Sequence, residues 1–576
     1  MVKHNLRGGV RQRLGIVRDL KERAKRSMIG AFLVDTFKGG NLSSRDLREG
    51  ARAAGSSAGG LTRLATKGLD KTRTRKGKTK PDTRGDSRAV MRALLSKKEA
   101  LPEPYKLDDV PLWDHAKNAQ YMATVKVYPP HESLDTLVAP GEEDTWASFD
   151  DSQHKFGNHL HEWANRVGVV LHGRWLCLSL WGDSAPYSKK DSLYLLTYRV
   201  LNGTHRRRVW IAALGKRSLC ACGCYGRHTI DAIFDVVVWS MKVLLSGVLP
   251  SHDHRGRPFS KGDWRRGKAG QDMRFRGALL AKCGDWAWHK QVLGVRGWRE
   301  RQLCWKCQAT LRDRDFSSNA SWRQSSVCNS AFLASAYNGR QYLSSLFGCP
   351  GFALDYVQPD WMHTVCLGIL QYFTGNIMWF CFTEVGGKMT KPQEACAMLF
   401  NMINVVASDL SLEQPMASLV VTMFRPSMNK KPNMRLRAAE GRYFLPILTV
   451  MLQRFFPGAA GDDRAEMRLK AAQALCSCYI ELKEWVHDSP RRLERAARQH
   501  LMLYVSLNDM EPPGSLLWHV YPNHHMFAHV SNVGTNPALL WNYGDEDEIG
   551  KAVKQAARCN PRWLHQALIA RYRVLV

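Results

Sequence analysis

From position 171 the chain alternates apolar and polar residues in short bursts. Segments 174–181, 192–201 and 207–214 each carry this alternation and are separated by short turns, which predicts three consecutive strands in an antiparallel meander. The period then changes. Ile230, Ile233, Phe234, Val237, Val238, Met241, Leu244 and Leu245 recur at helical spacing and stop near Gly247 and Pro250, which predicts one long helix. A basic loop, 252–268, follows, and 274–282 reads as a fourth strand. The predicted order is three strands, a helix and a strand, with Asp183 ending the first strand and Asp285 following the last.

Farther along, the pattern is helical. Segments 365–382, 395–406, 443–456, 466–486 and 491–507 predict a run of helices, and 546–557 predicts a last one whose acid-rich first turn suits a helix N-terminus. The expected organisation is a basic, largely flexible arm (1–105), a subdomain or linker (106–170), the first part of an α/β core (171–315), an all-α insertion (316–515) and the rest of the core (516–576).

The 576 residues are 44% apolar and 10% aromatic, enough to bury several cores. The net charge of +31 is less ordinary and favours a polyanionic partner, with nucleic acid the first expectation and an anionic membrane the second. Residues 1–100 hold 26 Lys and Arg against 9 Asp and Glu, so over half of that excess sits in the first sixth of the chain. Within it, Lys71, Arg73, Arg75, Lys76, Lys78 and Lys80 form a run that suits a DNA arm or nuclear-import signal, or else a solubilising tail. Arg265 and Arg266 in the 252–268 loop are further candidates for phosphate contact. Fifteen cysteines without a secretory pattern point to a reduced, intracellular compartment. Segment 364–383 is uncharged over a membrane-spanning length, but Gln371, Thr374, Gly375 and Asn376 favour a buried helix, so no membrane is expected.

Four acidic positions are framed by aromatic residues and glycines: Trp181-Gly182-Asp183, Gly284-Asp285-Trp286, Asp360-Trp361-Met362-His363 and Trp541-Asn542-Tyr543-Gly544-Asp545-Glu546. Dispersed carboxylates that folding gathers are what a two-metal phosphoryl-transfer site requires. Asp545, Asp547 and Glu548 compete with Glu546 for the last place. Cys304 and Cys307 have the spacing of half a zinc site, which Asp360 with His363, or Cys328 or Cys349, would complete. Cys220, Cys222, Cys224 and His228 form a second, denser candidate zinc cluster. His519, His524, His525 and His529 suggest metal or phosphate contact, although exposed loop histidines are the commoner case. Trp286, Trp288, Trp298, Trp305 and Trp322 interleave with arginines, which suits stacking on unpaired bases as well as core packing.

In this order the motifs resemble those of CACTA-type cut-and-paste DNA transposases and their Plavaka-like relatives, over about residues 170–560. The resemblance rests on Asp183 before Pro186-Tyr187, on Asp285 followed by Gly297-Trp298 and Cys304-x-x-Cys307, on Asp360-x-x-His363, and on Trp541, Tyr543 and Glu546. It implies a ribonuclease-H-like α/β core interrupted by an all-α insertion. It also implies DDE-type DNA cleavage and strand transfer with Mg²⁺ (or Mn²⁺), Asp183 bridging two ions while Asp285 and Glu546 each hold one side. DNA would be the partner, the nucleus the compartment, and a homo-oligomer a possible assembly. Ser184 departs from the family's glycine after the first acid. A catalytically inactive, nucleic-acid-binding descendant and a zinc-stabilised interaction protein are the alternatives.

Overall fold

The computed structural model describes residues 101–138, 157–203, 207–337, 342–386, 391–413, 416–532 and 535–575, together with a short hairpin, β1 (Thr72–Arg75) and β2 (Lys78–Pro81). The side chains of Lys71, Arg73, Arg75, Lys76, Lys78 and Lys80 lie outside this described part, as does most of the expected basic arm.

A second hairpin, β3 (Tyr105–Asp114) and β4 (Ala119–Val127), leads into helix α1 (Pro130–Leu137) and, later, α2 (Gly157–Val167). Four strands then build the main sheet: β5 (Trp175–Pro186), β6 (Ser192–Val200), β7 (Val209–Gly215) and β8 (Arg276–Cys283). Their spatial order is β7-β6-β5-β8, with antiparallel pairing across β5–β6–β7 and parallel pairing of β5 with β8. The first eight residues of β5 are all buried, as expected for a strand covered on both faces. β5 also runs farther than its pattern predicts, because Ala185 and Pro186 still pair with Leu193 and Ser192 of β6. Asp183 therefore sits within a paired strand, where the ladder holds its backbone on one side.

The parallel pair β5–β8 needs a crossover, and helix α3 (Arg227–Ser246) supplies it, packing on β8 and β3. It stops at Gly247, whose φ of 71° places it in the left-handed cap position. Beyond β8, a single parallel bridge joins Lys282 to Val357 and extends the sheet by one step. Helix α4 (Trp286–Leu293) begins where β8 ends.

A π-helical stretch, Met362–Ile369, continues into α5 (Leu370–Gly386), followed by α6 (Pro392–Asp409), α7 (Ala438–Phe455), α8 (Asp463–Lys483) and α9 (Ser489–Asp509). Among the described residues Met362–Gly386 is the one helix long and apolar enough to span a membrane, and 67% of its most apolar stretch is buried inside the fold. Helices α10 (Pro522–Val530), α11 (Tyr543–Ala556) and α12 (Leu564–Leu575) return the chain to the sheet. α11 lies against β5 and β6, and α12 lies against β7 and β4 with Tyr572 stacked on Trp210 at 4.4 Å.

The basic loop does not present Arg265 to solvent. Its guanidinium is buried and donates to Glu132 of α1, at 2.7 Å from Nη2 to Oε2, and to Asp263 at 3.2 Å, so it is a structural ion pair and not a phosphate ligand. Arg266 is exposed. Trp288, Trp305 and Trp322 are buried as well, which makes them core residues, while Trp298 keeps 37% of its surface.

Candidate carboxylate site and a cysteine-histidine knot

Adjacent parallel strands deliver the first two acids. The pairing of Trp181 with Cys283 puts Asp183 and Asp285 two residues beyond a shared rung. Each acid follows a glycine, and one indole explains both. A Cβ on Gly182 would lie 2.3 Å from Trp288, and one on Gly284, whose φ is +147°, would lie 2.0 Å from the same ring. Trp288 is thus seated on two bare backbones, and the acids project beside it. Asp285 caps α4 by accepting from the backbone N–H of Trp288 at 2.6 Å, and Asp183 accepts from Ser184 N at 2.6 Å. Behind them Lys282 is fully buried, its Nζ 4.5 Å from the Trp288 ring centroid and donating to Cys283 O at 2.9 Å. Burial pulls its amine down to about 7 against the opposing charges of Cys283, Asp285 and Asp183.

Glu546 comes from the first turn of α11. Its three acidic neighbours are otherwise engaged or turned away: Asp545 is buried in an ion pair with Arg208 at 3.2 Å, Glu548 accepts from Trp210 Nε1 at 2.8 Å, and Asp547 is exposed. One Glu546 oxygen, Oε1, is buried without a hydrogen-bond partner. Burial and the charge of Asp183 push the Glu546 carboxyl up to about 7, with Asp360 and Asp285 adding to the effect. Burial and then the charge of Asp285 push Asp183 up to about 6. Asp285 thus acts on Asp183, and both act on Glu546, although the three lie 102 and 261 residues apart along the chain.

Asp360 and His363 serve this cluster. Asp360 Oδ2 accepts from His363 N at 2.8 Å and meets His363 Nδ1 at 2.6 Å, while Oδ1 accepts from Asn542 N at 3.1 Å, just ahead of α11. His363 Nε2 then stands 3.9 Å from Glu546 Oε1. Burial alone would lower the imidazole. The hydrogen bond and charge of Asp360, with Glu546 and Asp285, overcome it and raise the value to about 9, so His363 is a cation at neutral pH. A cavity of about 240 Å³ lies beside Asp285, Asp360 and His363, with Trp298 and Ala287 in its wall.

Cys304 and Cys307 do not take Asp360 and His363 as partners. They meet His525 and His529 instead, with Cys307 Sγ 3.1 Å from His525 Nε2 and 3.4 Å from His529 Nε2, and all four ligand atoms lie within 4.8 Å of one another. The two histidines are four apart on α10 and so share a helix face. Cysteine and imidazole ligands in this number can hold a metal ion such as zinc. Against the effect of burial, hydrogen bonds from Cys307, His525 and His529 hold the Cys304 thiol well below its ordinary value. The expected exposed histidine loop is therefore a buried helix: His524 also packs inside, against Tyr504, and His519 lies in the preceding segment beside Tyr521. Cys328 is exposed and Cys349 is buried elsewhere. The signal for the true partners was the His-x-x-x-His spacing itself.

Cys220, Cys222, Cys224 and His228 also come together within 4.8 Å, between β7 and α3, and can likewise hold a metal ion. All fifteen cysteines are free thiols.

No known family model matches this chain, and no curated protein sequence matches it.

Proposed function

We propose that the chain is a DDE transposase-like enzyme that cleaves DNA strands and joins them, built on a ribonuclease-H-like core. The observation that carries this reading is that Asp183 and Asp285 leave adjacent parallel strands while α11, which bears Glu546, packs on β5, near enough for the charges of Asp183 and Asp285 to act on the Glu546 carboxyl. The strand order β7-β6-β5-β8, with the fourth strand parallel to the first, supports the core assignment.

The three acids offer the ligand type that hard divalent cations prefer. Their ligand atoms are carboxylate oxygens only, one of them buried and without a hydrogen bond, and burial followed by the charge of a neighbouring acid makes two of the three hold their protons unusually tightly. Mg²⁺ or Mn²⁺, when bound, lowers the barrier to attack of water or a 3′-hydroxyl on a phosphodiester and offsets charge on the leaving oxygen. Asp183, fixed by the β5–β6 ladder, Asp285 at the start of α4, and Glu546 would hold it. Asp360 and His363 act as positioning residues, tying α11 to the π-helical turn and keeping Glu546 oriented. Lys216 Nζ, 3.1 Å from Ser184 Oγ, places a cation beside the first acid, where a phosphate would enter. DNA would be the partner and the nucleus the compartment.

The test is cleavage of labelled DNA by the full chain with Mg²⁺. Asp183→Asn and Glu546→Gln should each abolish it, while Asp547→Asn, on the exposed side of the same helix, should cleave normally. Cleavage surviving in Asp183→Asn would overturn the proposal.

A further inference from the structure

A cavity larger than the one beside the acids adjoins it. It is a groove of about 1070 Å³ that runs from the β5–β6 turn across the segment after β7 to α4, and Trp298 and Ala287 line both it and the smaller acid cavity. Its rim is basic. Lys189 and Lys190 on the turn and Lys216 and Arg217 after β7 are exposed, and no carboxylate among the described residues pairs with any of the four. The acid in the groove, Asp191, already accepts from the Tyr187 hydroxyl and the N–H groups of Ser192 and Arg217. Two aromatic rings are exposed here: Tyr225 keeps 75% of its surface, with Arg227 over one face at 5.9 Å, and Trp298 keeps 37%, with Trp286 against it at 6.0 Å and 69°.

Tyr225 is held in an unusual way. Its φ of 55° is left-handed, which a residue with a Cβ adopts rarely, and it lies in the loop enclosed by Cys220, Cys222, Cys224 and His228. Within that loop Cys222 Sγ stands 3.4 Å from Cys220 Sγ and from His228 Nδ1, and Cys220 Sγ is 3.7 Å from the same nitrogen. A tetrahedral zinc ion with ordinary bond lengths would need ligand separations of about 3.5–3.8 Å. The loop is also fastened to α4, where Gln291 donates to Tyr225 O at 2.8 Å and accepts from Arg227 Nε at 3.0 Å.

Cations that follow a backbone and aromatic faces left open for stacking are the elements that recognise an unpaired strand; in a duplex the base faces are already covered. We propose that this groove holds an unpaired nucleic-acid strand leading out of the carboxylate site, and that zinc on the Cys220 cluster keeps in place the loop that stacks against its bases. This rests on the nucleic-acid reading above and adds where the strand runs and what shapes its path.

The test uses the full, zinc-loaded chain without added Mg²⁺, a fluorescent oligothymidine, and a duplex of the same length. Tyr225→Ala should weaken oligothymidine binding about 5- to 100-fold while Tyr225→Phe preserves it. Lys189→Ala with Lys190→Ala should lower the slope of log affinity against log salt by about 1.4. Cys222→Ser with Cys224→Ser should lose one equivalent of zinc and weaken the oligothymidine as Tyr225→Ala does. Unchanged oligothymidine binding in the tyrosine and lysine variants, or an equal loss for the duplex, would overturn the groove assignment; zinc lost without any change in binding would overturn the role of the metal. Because binding is read without Mg²⁺, the two proposals separate. Groove variants that bind normally while Asp183→Asn fails to cleave would sink this one alone, and the reverse pattern would sink the carboxylate reading alone.

Discussion

Replacing Asp183 by asparagine should make the protein more stable when no magnesium is added. The ionised carboxylate is out of place in the unliganded fold: burial and Asp285 raise it from an ordinary 3.8 to about 6. At about 1.4 kcal/mol per tenfold change in proton affinity, the charge costs about 3 kcal/mol at pH 7. Because the folded carboxyl keeps its proton to higher pH, the cost is absent below about pH 4, grows between about pH 4 and 6, and is complete above that. Asparagine keeps the shape and the acceptor for Ser184 N but has no such charge. Urea unfolding should therefore show Asp183→Asn ahead by up to about 3 kcal/mol at pH 7.5 and by about half that at pH 5. Mg²⁺ should then reverse the ranking, stabilising the wild type through binding and leaving the variant unmoved. A variant less stable than wild type at pH 7.5, a difference that ignores pH, or equal stabilisation of both proteins by Mg²⁺ would refute the reasoning.

Gly182→Ala should lose about 1–3 kcal/mol, since its Cβ would stand 2.3 Å from Trp288, and a smaller ring at 288 should recover part of the loss; unfolding curves of the two single variants and the double variant decide it. Cys307→Ser or His525→Ala should cost one equivalent of zinc and lower thermal stability, whereas Cys328→Ser should keep the metal content of the wild type, as elemental analysis of each purified chain will show. Lys282→Met should be the more stable protein at pH 7. The folded amine titrates at about 7 against an ordinary 10.5, so the wild type gains stability as pH rises through that window and the variant's lead shrinks toward pH 10. Loss of the contacts with Trp288 and Cys283 O keeps that lead below about 5 kcal/mol, and a wild type that is already ahead at pH 7 would contradict the assignment.

The main sheet was legible in the sequence because its strands are apolar and β5, β6 and β7 follow one another at short intervals, and because α3 carries an uninterrupted helical period. The glycine before each acid was legible too, although its reason was not: only the fold places Trp288 over both Gly182 and Gly284. What escaped the sequence was pairing at a distance. Arg265 looks like a solvent-exposed residue of a basic loop until Glu132, 133 residues earlier, folds against it. Cys304-x-x-Cys307 offered two ligands and several completions, Asp360 with His363, Cys328 or Cys349, whereas the histidines that meet them lie on α10. Choosing Glu546 among four neighbouring acids needed the helix phase, which turns Asp545 toward Arg208. The β3–β4 hairpin went unread because a register shift between Leu107 and Val110, with Asp109 at a φ of 57°, breaks the alternation of β3, and the first half of β4 is exposed throughout.

The cysteine-histidine knot also bears on how this chain can change length. It clasps Cys307 to His525, 218 positions away, so the segment between them leaves and returns through one fixed gate. Asp285 stands just before that gate and Glu546 just after it. The entropy of closing a loop grows only with the logarithm of its length, and doubling such a segment would cost about 0.6 kcal/mol. The helical stretch can therefore be trimmed, enlarged or exchanged with little effect on the spacing of the acids, provided that the clasp and the Asp360–His363 contact are kept.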